Sequence, residues 1–191
     1  QLVRFGATDQ DKLRGYDLLM RALEVGHTYA MNELGYFYLD EASEYYDPNR
    51  AMRYLNESAA RGDIYGYNNL GLVYMNGLGG AKKDPEAALD WFTKAAEGGH
   101  PNAPGNIGQL IATGALGKKA DFGKAVEWFD TGLERGDANA GAYGAYLILT
   151  EGAGGLGPAD AAFRAGRAAA LRDPVAVERA RKVLAALPAE A

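Results

Sequence analysis

Apolar residues along this chain fall at helical spacing, and the same arrangement recurs at Gly26, Gly62, Gly99 and Gly136, with gaps of 36, 37 and 37 residues. Numbered from each glycine as zero, small or apolar residues stand at −11, −8, −7, −4 and −3. In the third unit these are Ala88, Trp91, Phe92, Ala95 and Ala96. That i, i+3, i+4, i+7, i+8 series is the buried stripe of an amphipathic helix. An acid stands at −15 (Asp11, Asp47, Asp84, Asp121), where a side-chain oxygen can cap free backbone N–H groups. Pro48 and Pro85 follow their acids, at the position that best tolerates proline. The glycine itself closes the helix. This is helix B of each unit, for example Pro85 to Gly98.

A second series marks helix A. Ala30, Gly66, Ala103 and Ala140 stand at +4; Leu34, Leu70, Ile107 and Gly144 at +8; Tyr38, Tyr74, Ile111 and Ile148 at +12. The small residue at +9 (Gly35, Gly71, Gly108, Ala145) predicts a close helix–helix approach, since mid-helix glycine costs about 1 kcal/mol. Glycine-rich segments such as Gly77 to Gly80 and Gly152 to Gly157 read as surface turns between A and B. The chain is thus predicted to be one repeat domain over residues 1–191. It opens with a helix B half-repeat at 11–26, followed by repeats at about 27–62, 63–99, 100–136 and 137–173. A fifth helix B runs from about Ala159 to Leu171, and a polar capping helix spans 174–187, carrying Arg179, Arg181 and Lys182.

These residues resemble the Sel-like repeat (SLR) family, a relative of tetratricopeptide repeats. The likeness is clearest in Asn69-Leu-Gly-Leu-Val-Tyr74, in Gly77-Leu-Gly79 and in Asp84 to Gly99, and it extends over roughly residues 11–173. The fourth unit departs with Gly144-Ala145 in place of Leu-Gly. The first A–B loop, Glu41 to Tyr46, lacks the glycines, and Pro158 replaces the fifth capping acid. The resemblance implies an all-α, right-handed superhelical solenoid of four to five antiparallel helix pairs. It implies an adaptor or inhibitor function, with immunity proteins against secreted toxins among the family's roles. It also favours the periplasm or cell envelope, the leader having been trimmed.

Net charge is −5 and the pI about 5.1, which argues against a nucleic-acid partner. The absence of cysteine removes disulfides and thiolate chemistry. No apolar run approaches the roughly 18 residues of a membrane span. No cofactor or metal is expected. The Gly152 to Gly157 run fits G-x-G-x-x-G, but helix A rather than a strand precedes it. His27 and His100 both stand at +1, in the turn between B and the next A, as turn residues rather than ligands. Ser43 and Ser58 sit on no nucleophile elbow. The aromatics Tyr54, Trp91, Phe92, Trp128 and Phe129 fall on the helix B stripe as core. Paired acids for a cell-wall or β-lactam hydrolase stay open as a distant alternative, as does self-assembly through the ends of the stack.

What remains is helix A. By analogy with tetratricopeptide repeats it lines the concave face, with +3, +6, +10, +13 and +14 exposed. The candidate protein-binding residues on that face are Tyr29, Asn32, Tyr36, Tyr65, Asn68, Leu72, Met75, Asn102, Gln109, Asn139 and Tyr146. Leu39 and Leu149 join Leu72 and Met75 as expected exposed apolar positions. Tyrosine is favoured in binding hot spots, and asparagine both donates and accepts.

Overall fold

The computed structural model describes the backbone of residues 9–187 and the side chains of residues 13–187. Ten helices follow one another in that span: α1 (Asp9–Glu24), α2 (Thr28–Phe37), α3 (Pro48–Ala60), α4 (Ile64–Asn76), α5 (Pro85–Glu97), α6 (Ala103–Ala112), α7 (Phe122–Glu134), α8 (Ala138–Glu151), α9 (Pro158–Ala170) and α10 (Pro174–Ala185). Odd-numbered helices α1 to α9 are the B helices and α2 to α8 the A helices. The first begins two residues earlier than expected, so Asp11 lies inside it, and its side chain falls outside the described residues. The chain divides into two compact units after Ala95, within α5.

In the first unit, the core gathers Leu34 and Phe37 of α2, Tyr54 and Leu55 of α3, and Leu70 and Val73 of α4. In the second, Phe129 of α7 packs with Ala140 of α8, and a separate cluster joins α8, α9 and α10 through small residues such as Ala145, Ala161, Ala165 and Ala180. Of the helix B aromatics expected in the core, Tyr54, Phe92 and Phe129 are buried, whereas Trp91 and Trp128 are only half-buried, the Trp91 ring stacking on Tyr67 at 5.8 Å.

The +9 glycines explain how A meets B. A Cβ built on Gly35 would lie 2.6 Å from Leu55 Cγ, on Gly71 2.5 Å from the Phe92 ring, and on Gly108 2.9 Å from the Phe129 ring. In all three units the large residue at −7 sits in the hollow left by the glycine at +9. The fourth unit reverses both partners. Ala145 occupies the +9 place and Ala165 the −7 place, and both are fully buried. The lost ring and the gained methyl compensate, which accounts for the departure seen in the sequence.

The capping acids also appear as expected. Asp47, Asp84 and Asp121 accept backbone N–H bonds from Arg50, Ala87 and Lys124, each at 3.0 Å. A second series, at +1, caps three further helices: Asp63 on α4, Asp137 on α8 and Asp173 on α10. At α9 the residue in the capping place is Gly157, not Pro158, which takes the first helical position as Pro48 and Pro85 do, and Gly157 has no side chain to offer. There the Gly157 N–H donates to Asp160 Oδ2 at 3.0 Å, so the acid three residues on supplies the bond. The terminating glycines have positive φ, as a left-handed helix end requires. In the fifth unit Arg172 takes that place with φ 58°, a strained choice for a residue with a Cβ.

Candidate partner-binding surface

In the first unit the outward face of the A helices is tyrosine-rich. Tyr29 and Tyr36 on α2 and Tyr65 on α4 are exposed, Tyr29 at 52% and Tyr65 at 43%. The Tyr29 and Tyr65 rings meet edge to face, with centroids 6.3 Å apart. Each presents an amphipathic ring whose position is already fixed by its neighbour. Leu72 and Met75 on α4 are half-buried.

The expected register fails at two offsets. Asn32 and Asn68, placed at +6 on the exposed face, are 1% and 6% exposed. Asn32 Oδ1 instead accepts from Asn69 Nδ2 at 2.6 Å, tying α2 to α4. The +6 residues of the second unit, Gly105 and Ala142, are buried as well. Gly105 lies close against Asp137 and Ala140 at the start of α8. Position +6 is therefore turned away from solvent, and at Asn32 and Gly105 it faces the next A helix within its unit. Position +13 also turns inward: Leu39 is buried, and Met75 and Leu149 are half-buried. The open stripe runs through +3, +10 and +14, while +7 between them is buried at Asn69 and half-buried at Glu33, Asn106 and Tyr143.

In the second unit that stripe presents Asn102 and Gln109 on α6 and Tyr146 on α8, all exposed. Asn139 is half-buried, and its Oδ1 accepts from the Arg179 guanidinium of α10 at 2.7 Å. Arg179 also lies over the Tyr143 ring, 4.6 Å from its centroid. The sequence placed Arg179 on a solvated cap; its partners were invisible because they lie 36 and 40 residues away. A groove of about 310 Å³ opens between α8 and α10, lined by Ala142, Tyr143, Tyr146, Leu149, Val183 and Ala186, with Thr150, Arg179 and Lys182 at its edge.

The other polar groups have structural roles. Ser58 is buried, and its Oγ donates to Asp63 Oδ2 at 3.0 Å. Ser43 Oγ accepts from the Tyr45 N–H in the first A–B loop. His100 is buried in its turn, where Nδ1 accepts from the Asn102 N–H at 3.2 Å. His27 stands at the N-cap of α2 but makes no side-chain capping bond. Burial pushes the Asp137 carboxyl above the usual carboxylate range, against the pull of its bonds from the Ala140 and Asn139 backbone. Tyr16 is pushed up to about 12, first by its hydrogen bond with Tyr38 and then by burial. Gly152, which opens the G-x-G-x-x-G run, is the left-handed terminator of α8. Among the described residues no group of His, Asp and Glu has metal-ligand geometry, and no helix is long and apolar enough to cross a membrane.

Helix pairs of this length, closed by glycine and packed through a small +9 residue, define a helical-repeat class built for binding. The Sel1 repeat matches at residues 28–63, 64–100 and 106–137, more than half of the chain, and the chain belongs to this family. Sel1 repeats are in general protein-interaction modules without catalytic machinery. Among solved structures, a Sel1 repeat protein from Oxalobacter formigenes is 30% identical with a TM-score of 0.69, over 87% of this chain and 66% of that one. A protective antigen of uropathogenic Escherichia coli displaying an SLR fold is 25% identical, with a TM-score of 0.67 over 86% of this chain and 35% of that one. An immunity protein from Pseudomonas aeruginosa is 21% identical, with a TM-score of 0.61 over 92% and 63%. The chain thus spans about two thirds of the first and about one third of the second. No curated protein matches it.

Proposed function

We propose that the protein is a non-catalytic binding module that holds a partner protein on the outward face of its A helices. The observation that carries this reading is the set of exposed tyrosines at equivalent offsets, Tyr29 and Tyr65 at +3 with Tyr36 at +10. Large aromatic rings are costly to leave in water and are over-represented where partners bind tightly. The mutual packing of Tyr29 and Tyr65 reduces the side-chain freedom lost on binding. Half-buried Leu72 stands at +10 on α4, and in the second unit Asn102, Gln109 and Tyr146 are exposed at these same offsets. Asn32 acts instead as an internal tie to Asn69, Asn68 is buried, and Asn139 positions Arg179.

Site-specific photo-crosslinking tests this. A photoreactive phenylalanine analogue at Tyr29, Tyr65 or Tyr146 is expected to capture one partner protein. The same probe at the exposed helix B positions Asn56 and Glu127 is expected to capture none. Equal capture from both faces, or capture from helix B alone, refutes the assignment.

A narrower reading is an immunity protein that neutralises a secreted, type VI-like toxin such as a lipase. The use of the same fold by an immunity protein of P. aeruginosa supports it at the level of fold. It calls for periplasmic or envelope residence, which fractionation of the native product checks. It also calls for an interface of standard size, about 1,600 Å². Release of toxicity on deletion of the gene is the expected result, and unchanged growth beside toxin-producing siblings counts against it.

A further inference from the structure

The groove between α8 and α10 has a chemistry distinct from the tyrosine face. Its floor is apolar, made by Tyr146 and Leu149 of α8 with Val183 of α10 and Ala186 at its C-cap. Its edge is cationic. Helix α10 carries Arg179, Arg181 and Lys182 against one acid, Glu178, in a chain of net charge −5. Lys182 reaches Glu178 only at 3.9 Å, with both side chains largely in solvent, so that pair is weak and easily exchanged. Arg179 is held differently. Stacking on Tyr143 and donation to Asn139 fix its guanidinium, and among the described residues no carboxylate pairs with it. A guanidinium whose plane is set in advance, beside a neutral acceptor, is prepared to take a carboxylate through its remaining N–H groups. A volume of about 310 Å³ lies at the small end of ligand pockets, suited to one or two large side chains.

Resting on the protein-binding reading above, we infer that this groove accepts an acidic linear segment of the partner, with a bulky apolar side chain seated against Leu149 and Val183 and an adjacent carboxylate on Arg179 and Lys182. The groove borders Tyr146, so it extends the outward face of α8 and gives it charge selectivity.

The full chain, ¹⁵N-labelled, is titrated with a short acetylated peptide in which phenylalanine precedes two aspartates. Two controls replace the aspartates by asparagines or the phenylalanine by alanine. The acidic aromatic peptide is expected to shift the amides of Tyr146, Leu149 and Val183, and each control to bind about tenfold more weakly. Lys182→Glu is expected to erase the preference for the acidic peptide. Ala186→Trp, which fills the groove from an exposed position, is expected to weaken binding about tenfold or more. Both variants should retain the wild-type circular dichroism spectrum. Equal binding of the asparagine peptide, absence of saturable binding, or shifts confined to α2 and α4 overturns the inference. Occupation of the groove by laurate or by a second copy of the chain in place of the peptide also overturns it. The photo-crosslinking at Tyr29 and Tyr65 reads the broader proposal separately, so that proposal can stand when this one fails.

Discussion

Replacing Gly71 by alanine isolates the packing device on which the whole repeat depends. In an open helical position the change is favourable by about 1 kcal/mol, because alanine is the better helix former. At Gly71 the new methyl would lie 2.5 Å from two atoms of the Phe92 ring and 2.9 Å from a third. Phe92 has no exposed surface, so it cannot swing away without disturbing the core. Overpacking of this kind costs about 3 kcal/mol at the upper end of its usual range, which leaves Gly71→Ala destabilised by about 2 kcal/mol. For a chain of this length that is a fall of about 4–8 °C in Tm. Gly166 provides the contrast: it lies mid-helix in α9 with nothing within 4 Å of a built Cβ, so Gly166→Ala should raise stability by up to about 1 kcal/mol. The decisive test is the sign change. In a Phe92→Ala background, which copies the Ala145–Ala165 arrangement of the fourth unit, Gly71→Ala should become stabilising by about 1 kcal/mol. Urea unfolding followed by circular dichroism gives all four corners of the cycle, with constant m-values as the check on comparability. If Gly71→Ala is stabilising in the wild-type background too, the close approach of the A and B helices is wrong.

Arg172→Gly should stabilise by up to about 1 kcal/mol in thermal melts, since it relieves a left-handed residue, partly offset by greater freedom in the unfolded chain. Asp173→Ala should cost about 1 kcal/mol by the same assay through loss of the α10 cap bond to Ala176, and Asp173→Asn should restore it. Asp137 has its folded pKa raised by burial, so the folded state holds its proton more tightly, and the wild type loses stability as pH rises through and above the carboxylate range. Asp137→Asn keeps a good cap without the charge. Its stability relative to wild type should therefore grow with pH across that range, and a flat difference in denaturation midpoint counts against the assignment. In an ultraviolet titration Tyr16 should ionise near pH 12, and Tyr38→Phe should bring it down by removing the hydrogen bond that dominates the shift.

Much of this was legible in the sequence because it is local or periodic. Helix ends are written in the Asp-Pro starts and glycine stops, and α5 was placed to within a residue. The aromatic at −7 and the glycine at +9 recur together, so their partnership follows from counting. The outer face was harder. Asn32 and Asn68 look like exposed binding residues because polarity alone does not distinguish a solvated amide from a buried, hydrogen-bonded one. The distinction lies in the neighbouring A helix, 37 residues on, where Asn69 meets Asn32. One local signal was available: +6 holds Gly105 and Ala142 in the later units, and small residues at a repeated offset mark a helix contact. The α8–α10 groove was not legible: Asp173, Ala176 and Ala180 carry the +1, +4 and +8 positions into α10, but the opening between α10 and α8 is set by tertiary packing.

The binding claim rests on Tyr29 and Tyr65, so its most direct measurement is the affinity of the captured partner for the Tyr29→Ala/Tyr65→Ala double variant by calorimetry. Both side chains are exposed, and the variant should fold as the wild type does. The account predicts a loss of about 2 kcal/mol or more, roughly 30-fold in Kd, while Asn56→Ala/Glu127→Ala on the helix B side leaves Kd unchanged. An unaltered Kd for the tyrosine double variant would contradict it.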